Sequence, residues 1–391
     1  MKEAVWMYPL VRGRTAYQAH VQVPEGLYEE EHGREAFSGP CSHLYRLHPP
    51  TGWDDVEGPL KPHAFDFNRP EFMATARGGW SLILENSYSA VYVHAPESPP
   101  EGFLRDSDGD LTYFIHHGEG LLESDYGDLP YEAGDYVVVP KGTTHRMLPR
   151  EGSPQFHLII ETAAEVELPE RGLLGQHALF DPGVLRLPEL KPEYDARPGR
   201  WTVMVKRDGL YTKLTYGWFP LDVVGWRGTL TVRKLNVRDF RPITSPRYHL
   251  PPSVHATFVV PGLSICTFAP RPLEGPETLR VPFYHANIDN DEVLFYHRGN
   301  FFSRANIGEG FMTLHPQGLH HGPQPGAVKG ALTKTETDEI AVMLESEEPF
   351  TVSDECLLAD IPEYKFSWRA AAPNGATPAA ATAAAAPGGR A

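Results

Sequence analysis

The sequence contains little cysteine, fewer basic than acidic residues and no long apolar run. Its 391 residues include three cysteines, Cys41, Cys266 and Cys356, which are odd in number and far apart, so a disulfide framework is not expected. The net charge of -16 argues against nucleic acid and anionic membranes as partners. No stretch approaches the roughly 20 apolar residues of a membrane span, and no secretory signal is recognisable. These absences predict a soluble, cytoplasmic protein.

Proline and glycine are abundant, with 38 and 36 residues spread along the chain. They divide it into many short segments, which favours an all-β architecture over long helices. The length suits about two domains. Residues 370–391 are almost entirely Ala, Pro, Gly and Thr, which predicts a disordered C-terminal tail because nothing large is available for burial.

Two stretches of the chain repeat one pattern. Residues 134–145 and 316–321 each contain a Pro-x-Gly turn with a histidine five positions after the proline. Upstream of each turn lies a matched segment that ends in glycine, at residues 113–118 and 294–299. Short alternating strands bounded by such turns are typical of β-hairpins. The repeat therefore predicts a duplicated β-barrel.

The second copy carries groups that can bind a metal. Glu292 lies seven residues before Gly299, His285 precedes it, and His321 ends the Pro-x-Gly-x-x-His turn. This order resembles that of the cupins, small jelly-roll barrels with a metal inside. Two histidines and one carboxylate that leave coordination positions open are typical of non-haem Fe(II) centres. The sequence thus predicts a duplicated cupin, or bicupin, with a metal in its second barrel.

The first copy lacks most of these groups. Leu111 takes the position of Glu292, and of the two histidines only His145 remains. A lone histidine cannot hold a hard divalent ion against water. We therefore predict an N-terminal β domain with a degenerate barrel over residues 1–195 and a catalytic barrel over residues 196–369.

Five segments follow one another in the second half of the chain: residues 220–226, 281–287, 314–315, 321–323 and 341–345. They resemble the conserved blocks of the homogentisate 1,2-dioxygenase family, and the resemblance covers most of residues 200–350. It implies an Fe(II)-dependent dioxygenase that cleaves an aromatic ring with O2. The substrate would be homogentisate, opened to maleylacetoacetate in tyrosine and phenylalanine catabolism, or a close phenolic acid. A trimer or hexamer is also implied.

The same resemblance assigns roles to individual residues. It implies that Fe(II) is bound by His285, Glu292 and His321, and that Asn287 and His315 lie beside the metal or face the substrate. Relative to the family pattern, this chain has one additional residue between the histidine and carboxylate ligands, His285 and Glu292. Asp291 is therefore an alternative ligand to Glu292.

Two positions depart from the family. Where the family has a histidine proposed as general base, this chain has Arg227, and where the family has a tyrosine that contacts substrate, it has Phe301. Arginine stays charged and cannot act as a base, so a catalytic Arg227 would act electrostatically. His249 and His255 are the candidates for the displaced base.

Arginines are the candidates to bind a substrate carboxylate through a bidentate contact, namely Arg227, Arg298 and Arg304. Two other functions stay open on the sequence alone. One is a cupin metalloenzyme of another class, such as an isomerase with zinc or manganese. The other is a bicupin that binds small molecules without catalysis.

Overall fold

The computed structural model describes residues 11–369 except 191–196, 248, 280–282, 302–303, 305, 326 and 328–332. The predicted C-terminal tail lies outside the described residues. Within them, strands dominate, and the α-helices whose bounds are described are short: α1 (Pro70–Gly78) and α2 (Asp354–Leu357). The prediction of an all-β protein is confirmed. No described helix is both long and apolar enough to cross a membrane.

The first barrel consists of two facing sheets. The larger sheet contains, in spatial order, β15 (Arg233–Asn236), β10 (Asp135–Val139), β7 (Asp110–His117), β12 (Phe156–Thr162), β5 (Ser89–His94), β4 (Ser81–Glu85) and β22 (Thr351–Val352). The smaller sheet contains β14 (Leu210–Tyr216), β13 (Trp201–Arg207), β6 (Phe103–Asp106), β11 (Thr144–Pro149), β8 (Gly120–Ser124) and β9 (Gly127–Tyr131).

The second barrel also consists of two sheets. One contains β16 (Ala256–Val260), β17 (Leu263–Phe268), β21 (Ile340–Ser346), β19 (Asp291–Arg298), β20 (Phe311–His315) and β3 (His63–Asp66). The other contains β18 (Tyr284–Asn287), β1 (Tyr28–Gly33) and β2 (Cys41–Arg46). Two barrels of this kind confirm the predicted duplication.

Strand pairing crosses the predicted boundary between residues 195 and 196. Strands β1 to β3 come from the first 66 residues, yet they belong to the sheets of the second barrel. Strands β13 to β15 follow the boundary, yet they belong to the first. The N-terminal strands therefore complete the barrel that carries the predicted metal ligands.

Alternation along equivalent strands gives the two barrels different interiors. On β7, Leu111 and Tyr113 belong to the apolar core between the sheets of the first barrel. On β19, Glu292 and Tyr296 line a cavity inside the second barrel. The opposite faces of both strands pack where the barrels meet, in one shared core. Successive side chains of a strand point to opposite faces. On each of the two strands, one set of alternate residues therefore faces the barrel interior, and the other set faces the core that the two barrels share.

Candidate metal centre

Three side chains converge inside the second barrel. His285 lies on β18, Glu292 on β19, and His321 in the turn after β20, where its backbone exchanges two hydrogen bonds of 2.9 Å with His285. Oε2 of Glu292 lies 3.5 Å from Nε2 of His285 and 3.4 Å from Nε2 of His321. All three side chains are buried. The backbone bridge thus fixes two imidazoles on either side of one carboxylate oxygen.

The hydrogen bonds of both histidines indicate their tautomer. Nδ1 of His285 lies 2.9 Å from the carbonyl oxygen of Phe283, and Nδ1 of His321 lies 3.1 Å from that of Leu319. A carbonyl oxygen only accepts, so each Nδ1 carries the proton and each Nε2 offers a lone pair. Neither Nε2 atom has a hydrogen-bond partner although both are buried. Two orphaned imidazole nitrogens and a carboxylate oxygen fit a divalent metal ion.

His315 positions the carboxylate. Its Nδ1 donates to Oε1 of Glu292 at 2.8 Å, and its Nε2 accepts from the hydroxyl of Tyr364 at 2.9 Å. Burial lowers the pKa of His315 to about 3 despite Glu292, so the ring is neutral. Burial alone would raise the pKa of Glu292, but His321, His285 and His315 hold it well below its usual value. Glu292 is therefore an anion, and His315 orients it as hydrogen-bond partners commonly orient metal ligands.

Asp291, the alternative ligand, has other partners. Its carboxylate accepts hydrogen bonds of 2.8 Å from the backbone N–H groups of Gln317 and Phe350. Alternation on β19 also directs it away from Glu292. The geometry favours Glu292 as the carboxylate ligand.

A second carboxyl group lies opposite Glu292. Glu345 on β21 is its direct cross-strand neighbour, and burial together with Glu292 raises the pKa of Glu345 to about 8. At neutral pH this carboxyl is mostly protonated, which spares the interior a second negative charge.

A cavity of about 70 Å³ is lined by two of the three candidate ligands, His285 and Glu292. Its walls include Phe37, Phe283, Tyr296 and Arg304. Larger depressions lie on the first barrel, around Lys234, but we assign the site to the smaller cavity because two of the candidate ligands line it.

The structure places some of the other predicted residues in or near this cavity. His249 lines it directly. Asn287 shares the face of β18 with His285, and both polar atoms of its buried amide lack partners. His255 is buried next to Phe268, which lines the cavity, with ring centroids 5.3 Å apart.

Other predicted residues do not reach it. Arg227 is exposed in the segment between β14 and β15, where the adjacent Trp226 packs on Tyr126 of the first barrel. Arg298 is exposed because a bulge follows Tyr296 and the strand then ends. Phe301 is buried behind Tyr296, with ring centroids 4.9 Å apart. Within one chain, these three side chains do not face the candidate ligands.

The residues of the cavity that sequence reasoning missed include an arginine and a phenylalanine. Arg271 is buried, and its Nη1 has no hydrogen-bond partner. Phe37 lies between β1 and β2, with its ring centroid 5.1 Å from that of His285. Neither belongs to a recognisable motif, because both reach the site through packing between distant parts of the chain.

Comparison with known proteins agrees with the family resemblance seen in the sequence. A sequence model of the homogentisate 1,2-dioxygenase N-terminal region matches residues 52–237. A protein of Saccharolobus solfataricus, provisionally named a dioxygenase, is 33% identical over 363 residues, which cover 87% of this chain and 92% of that protein. The chain belongs to the homogentisate 1,2-dioxygenase family. The matches support a cupin-type dioxygenase, and with the ligand cluster they indicate a metal cofactor.

Solved structures of low similarity include a cupin 2 conserved barrel domain protein from Leptotrichia buccalis. It is 10% identical, with a TM-score of 0.31 over 69% of this chain and 88% of its own. The protein Ylba from E. coli is 6% identical, with a TM-score of 0.31 over 69% of this chain and 84% of its own. At these scores they add nothing to the sheet topology described above.

Proposed function

We propose that this protein is an Fe(II)-dependent dioxygenase that cleaves the ring of homogentisate or of a close phenolic acid. The observation that carries the proposal is the pair of buried, orphaned Nε2 atoms of His285 and His321 that face Glu292. When bound there, Fe(II) would supply open coordination positions and the electrons that activate dioxygen. The remaining chemistry belongs to the residues around the cavity.

His249 has the geometry of a general base. Its Nδ1 donates to Oε1 of Glu274 at 2.9 Å, while its Nε2 is buried, lacks a partner and belongs to a cavity-lining ring. Burial lowers the pKa of His249 below its ordinary value, against the effect of Glu274. A neutral imidazole can accept the phenol proton at Nε2, and Glu274 would then stabilise the imidazolium. His249 therefore supplies the function that Arg227 cannot.

Arg271 provides a site for the substrate carboxylate. It lines the cavity and is buried with Nη1 unpartnered. Burial lowers the pKa of Arg271, whereas Glu339 and Glu274 raise it, and a guanidinium stays charged at neutral pH. A buried cation with a spare donor favours an anionic ligand, and it distinguishes an aromatic acid from a neutral phenol.

Phe37 controls the room for the substrate. A cavity of about 70 Å³ is well below the roughly 300–1,000 Å³ of ordinary small-molecule sites, so an aromatic acid requires side chains to move. Phe37 belongs to the segment between β1 and β2, which is tied to the turn before β19 by an Arg34–Asp289 ion pair of 2.6 Å. Binding of a ring beside His285 would displace Phe37 and leave the barrel strands in place.

The proposal is tested by loading the protein with Fe(II) under anaerobic conditions and measuring oxygen uptake. The panel would contain homogentisate, gentisate and related hydroxyphenyl acids, each with a neutral analogue that lacks the carboxylate. We expect uptake with at least one acid and ring-opened product in equal amount. Uptake with none of them, or equal activity with zinc alone, would contradict an Fe(II) dioxygenase.

Variants of two arginines test the specificity. Arg271→Met should raise KM for the acid roughly 10- to 100-fold, the scale of a hydrogen bond between charged partners, and leave the neutral analogue nearly unaffected. Arg298→Met is the matched control, because that side chain is exposed at the end of β19. Equal KM values for Arg271→Met and the parent would remove Arg271 from the substrate site.

A further inference from the structure

A second group of potential ligands lies in the N-terminal sheet of the second barrel. It consists of His20, Glu31 on β1 and His43 on β2. Nε2 of His43 lies 3.1 Å from Oε2 of Glu31, and Nε2 of His20 lies 3.4 Å from the same oxygen. The two Nε2 atoms are 3.3 Å apart. Two imidazole nitrogens and one carboxylate oxygen therefore point at a common centre.

The fold holds each of the three side chains in place. Glu31 and His43 are direct cross-strand partners in the β1–β2 pair, so both project from one face of the sheet. The backbone of His20 is fixed on both sides: its N–H donates to Oε1 of Glu29 at 2.8 Å, and its carbonyl accepts from Leu279 at 2.6 Å.

His20 also has an unusual backbone conformation. Its φ is +64°, in the left-handed region that costs a residue with a side chain roughly 1–2 kcal/mol. Nδ1 of its ring lies 2.9 Å from Oε1 of Glu29, in an ion-pair contact without the alignment of a hydrogen bond. Strained residues persist where their surroundings determine the conformation. Here the surroundings direct Nε2 of His20 at Glu31.

The donor set identifies the class of ligand. Two imidazoles and a carboxylate with a fourth position left for water are typical of Zn²⁺. We propose that His20, Glu31 and His43 bind a divalent transition-metal ion, with Zn²⁺ as the favoured ion, at a second site separate from the candidate iron centre. The ion would connect the segment before β1 to both N-terminal strands.

The location gives such an ion a structural role. The ring of His20 packs on Phe283, with centroids 4.6 Å apart, and Phe283 packs in turn on His285, at 5.4 Å. One aromatic ring thus separates the second site from the first. A bound ion would fix the strands and the aromatic wall against which His285 rests.

A third group of potential ligands consists of carboxylates alone, and a lysine neutralises their charge. Asp106, Asp108 and Glu161 also converge, but the ammonium of Lys206 lies 3.3 Å from Asp106, 3.4 Å from Asp108 and 2.5 Å from Glu161. A cation of the chain already occupies that centre. At the His20 site the carboxylate of Glu31 contacts His20 and His43, the two other proposed ligands, in place of the lysine of the Lys206 site.

Protonation is the competing explanation for this geometry. Burial would lower the pKa of His20, but Glu29 and Glu31 raise it to about 9. A protonated His20 in an ion pair with Glu31 would need no metal. Measurement of bound metal separates the two explanations, because only the proposed site takes up an ion.

The test counts Zn²⁺ bound by the full chain after removal of metals, using equilibrium dialysis. We expect the parent to bind two ions per chain, His43→Ala one, and His321→Ala one, since each variant would lose a different site. Glu31→Gln should repeat the result of His43→Ala. His32→Ala is the matched control, because His32 follows Glu31 on β1 but is exposed on the other face of the strand.

Thermal unfolding gives a second measurement that does not depend on activity. Zn²⁺ should raise the Tm of the parent and of His32→Ala, with a smaller rise for His43→Ala. The proposal is overturned if His43→Ala and Glu31→Gln, folded by circular dichroism, bind as many ions as the parent. An absence of metal bound by the parent beyond the ion lost in His321→Ala would overturn it as well, and would leave the candidate iron centre unaffected.

Discussion

The two barrels share a turn and differ in what its histidine contacts. In both, the histidine's Nδ1 lies 3.1 Å from the carbonyl oxygen two residues earlier, at Thr143 for His145 and at Leu319 for His321. In the first barrel Nε2 of His145 accepts a hydrogen bond of 2.8 Å from the hydroxyl of Tyr113. In the second, Nε2 of His321 has no hydrogen-bond partner and faces Glu292.

The difference shows that the turn itself does not make a metal site. The same backbone fixes the same tautomer in both copies, and the neighbouring strand decides whether the lone pair is used internally. Where β7 supplies Leu111 and Tyr113, the histidine is a satisfied core residue. Where β19 supplies Glu292, the lone pair is left for a ligand.

The largest expected effect comes from making the second barrel like the first. Glu292→Leu places at β19 the residue that β7 has at position 111, and it removes the carboxylate that contacts both histidines. We expect metal affinity at this centre to fall by more than the roughly 10- to 100-fold typical of residues that only orient a ligand. Oxygen uptake should fall with it. Retention of the parent's metal and activity would show that another acid is the ligand.

A smaller effect is expected from breaking the internal bond of the first barrel. Tyr113→Phe removes the hydroxyl that satisfies Nε2 of His145, which leaves a buried acceptor unpaired and should cost about 1–3 kcal/mol of unfolding free energy. Denaturant unfolding measures the loss. Metal content and oxygen uptake should stay at the parent level, and a loss of metal would indicate a binding role for the first barrel.

The smallest expected effect concerns a pair of matched aspartates. Asp110 accepts from the N–H groups of Lys141 and Val166, as Asp291 does from Gln317 and Phe350. Asp110→Asn and Asp291→Asn should each destabilise the protein by about 1–2 kcal/mol, because a charged acceptor becomes a neutral amide. Both variants should retain bound metal. Loss of metal in Asp291→Asn alone would return Asp291 to the list of ligands.

Local sequence patterns account for much of the candidate site. The turns, the duplication and the positions of His285, Glu292 and His321 all lie within stretches where strand alternation and turn chemistry determine direction. Their convergence in the structure agrees with the prediction of a metal centre. Metal binding itself stays a prediction.

The remaining features depend on contacts between distant segments. Phe37 and the N-terminal strands reach the second barrel because β1 pairs with β18. These strands are far apart in the sequence, and no local pattern predicts that they pair. Arg271 was missed for the same reason. Arg298 was predicted to bind substrate, but the bulge after Tyr296 interrupts the alternation. Arg227 was identified by resemblance, and its segment packs beside the first barrel.

Comparison of His321→Ala with His145→Ala tests most directly whether the second barrel holds the metal and the first does not. Both changes remove a buried histidine from the same turn, so their effects on packing are matched. We predict that His321→Ala loses one equivalent of iron per chain and nearly all oxygen uptake, while His145→Ala keeps both within about threefold of the parent, as expected of a remote substitution. Equal iron content and uptake in the two variants would contradict it.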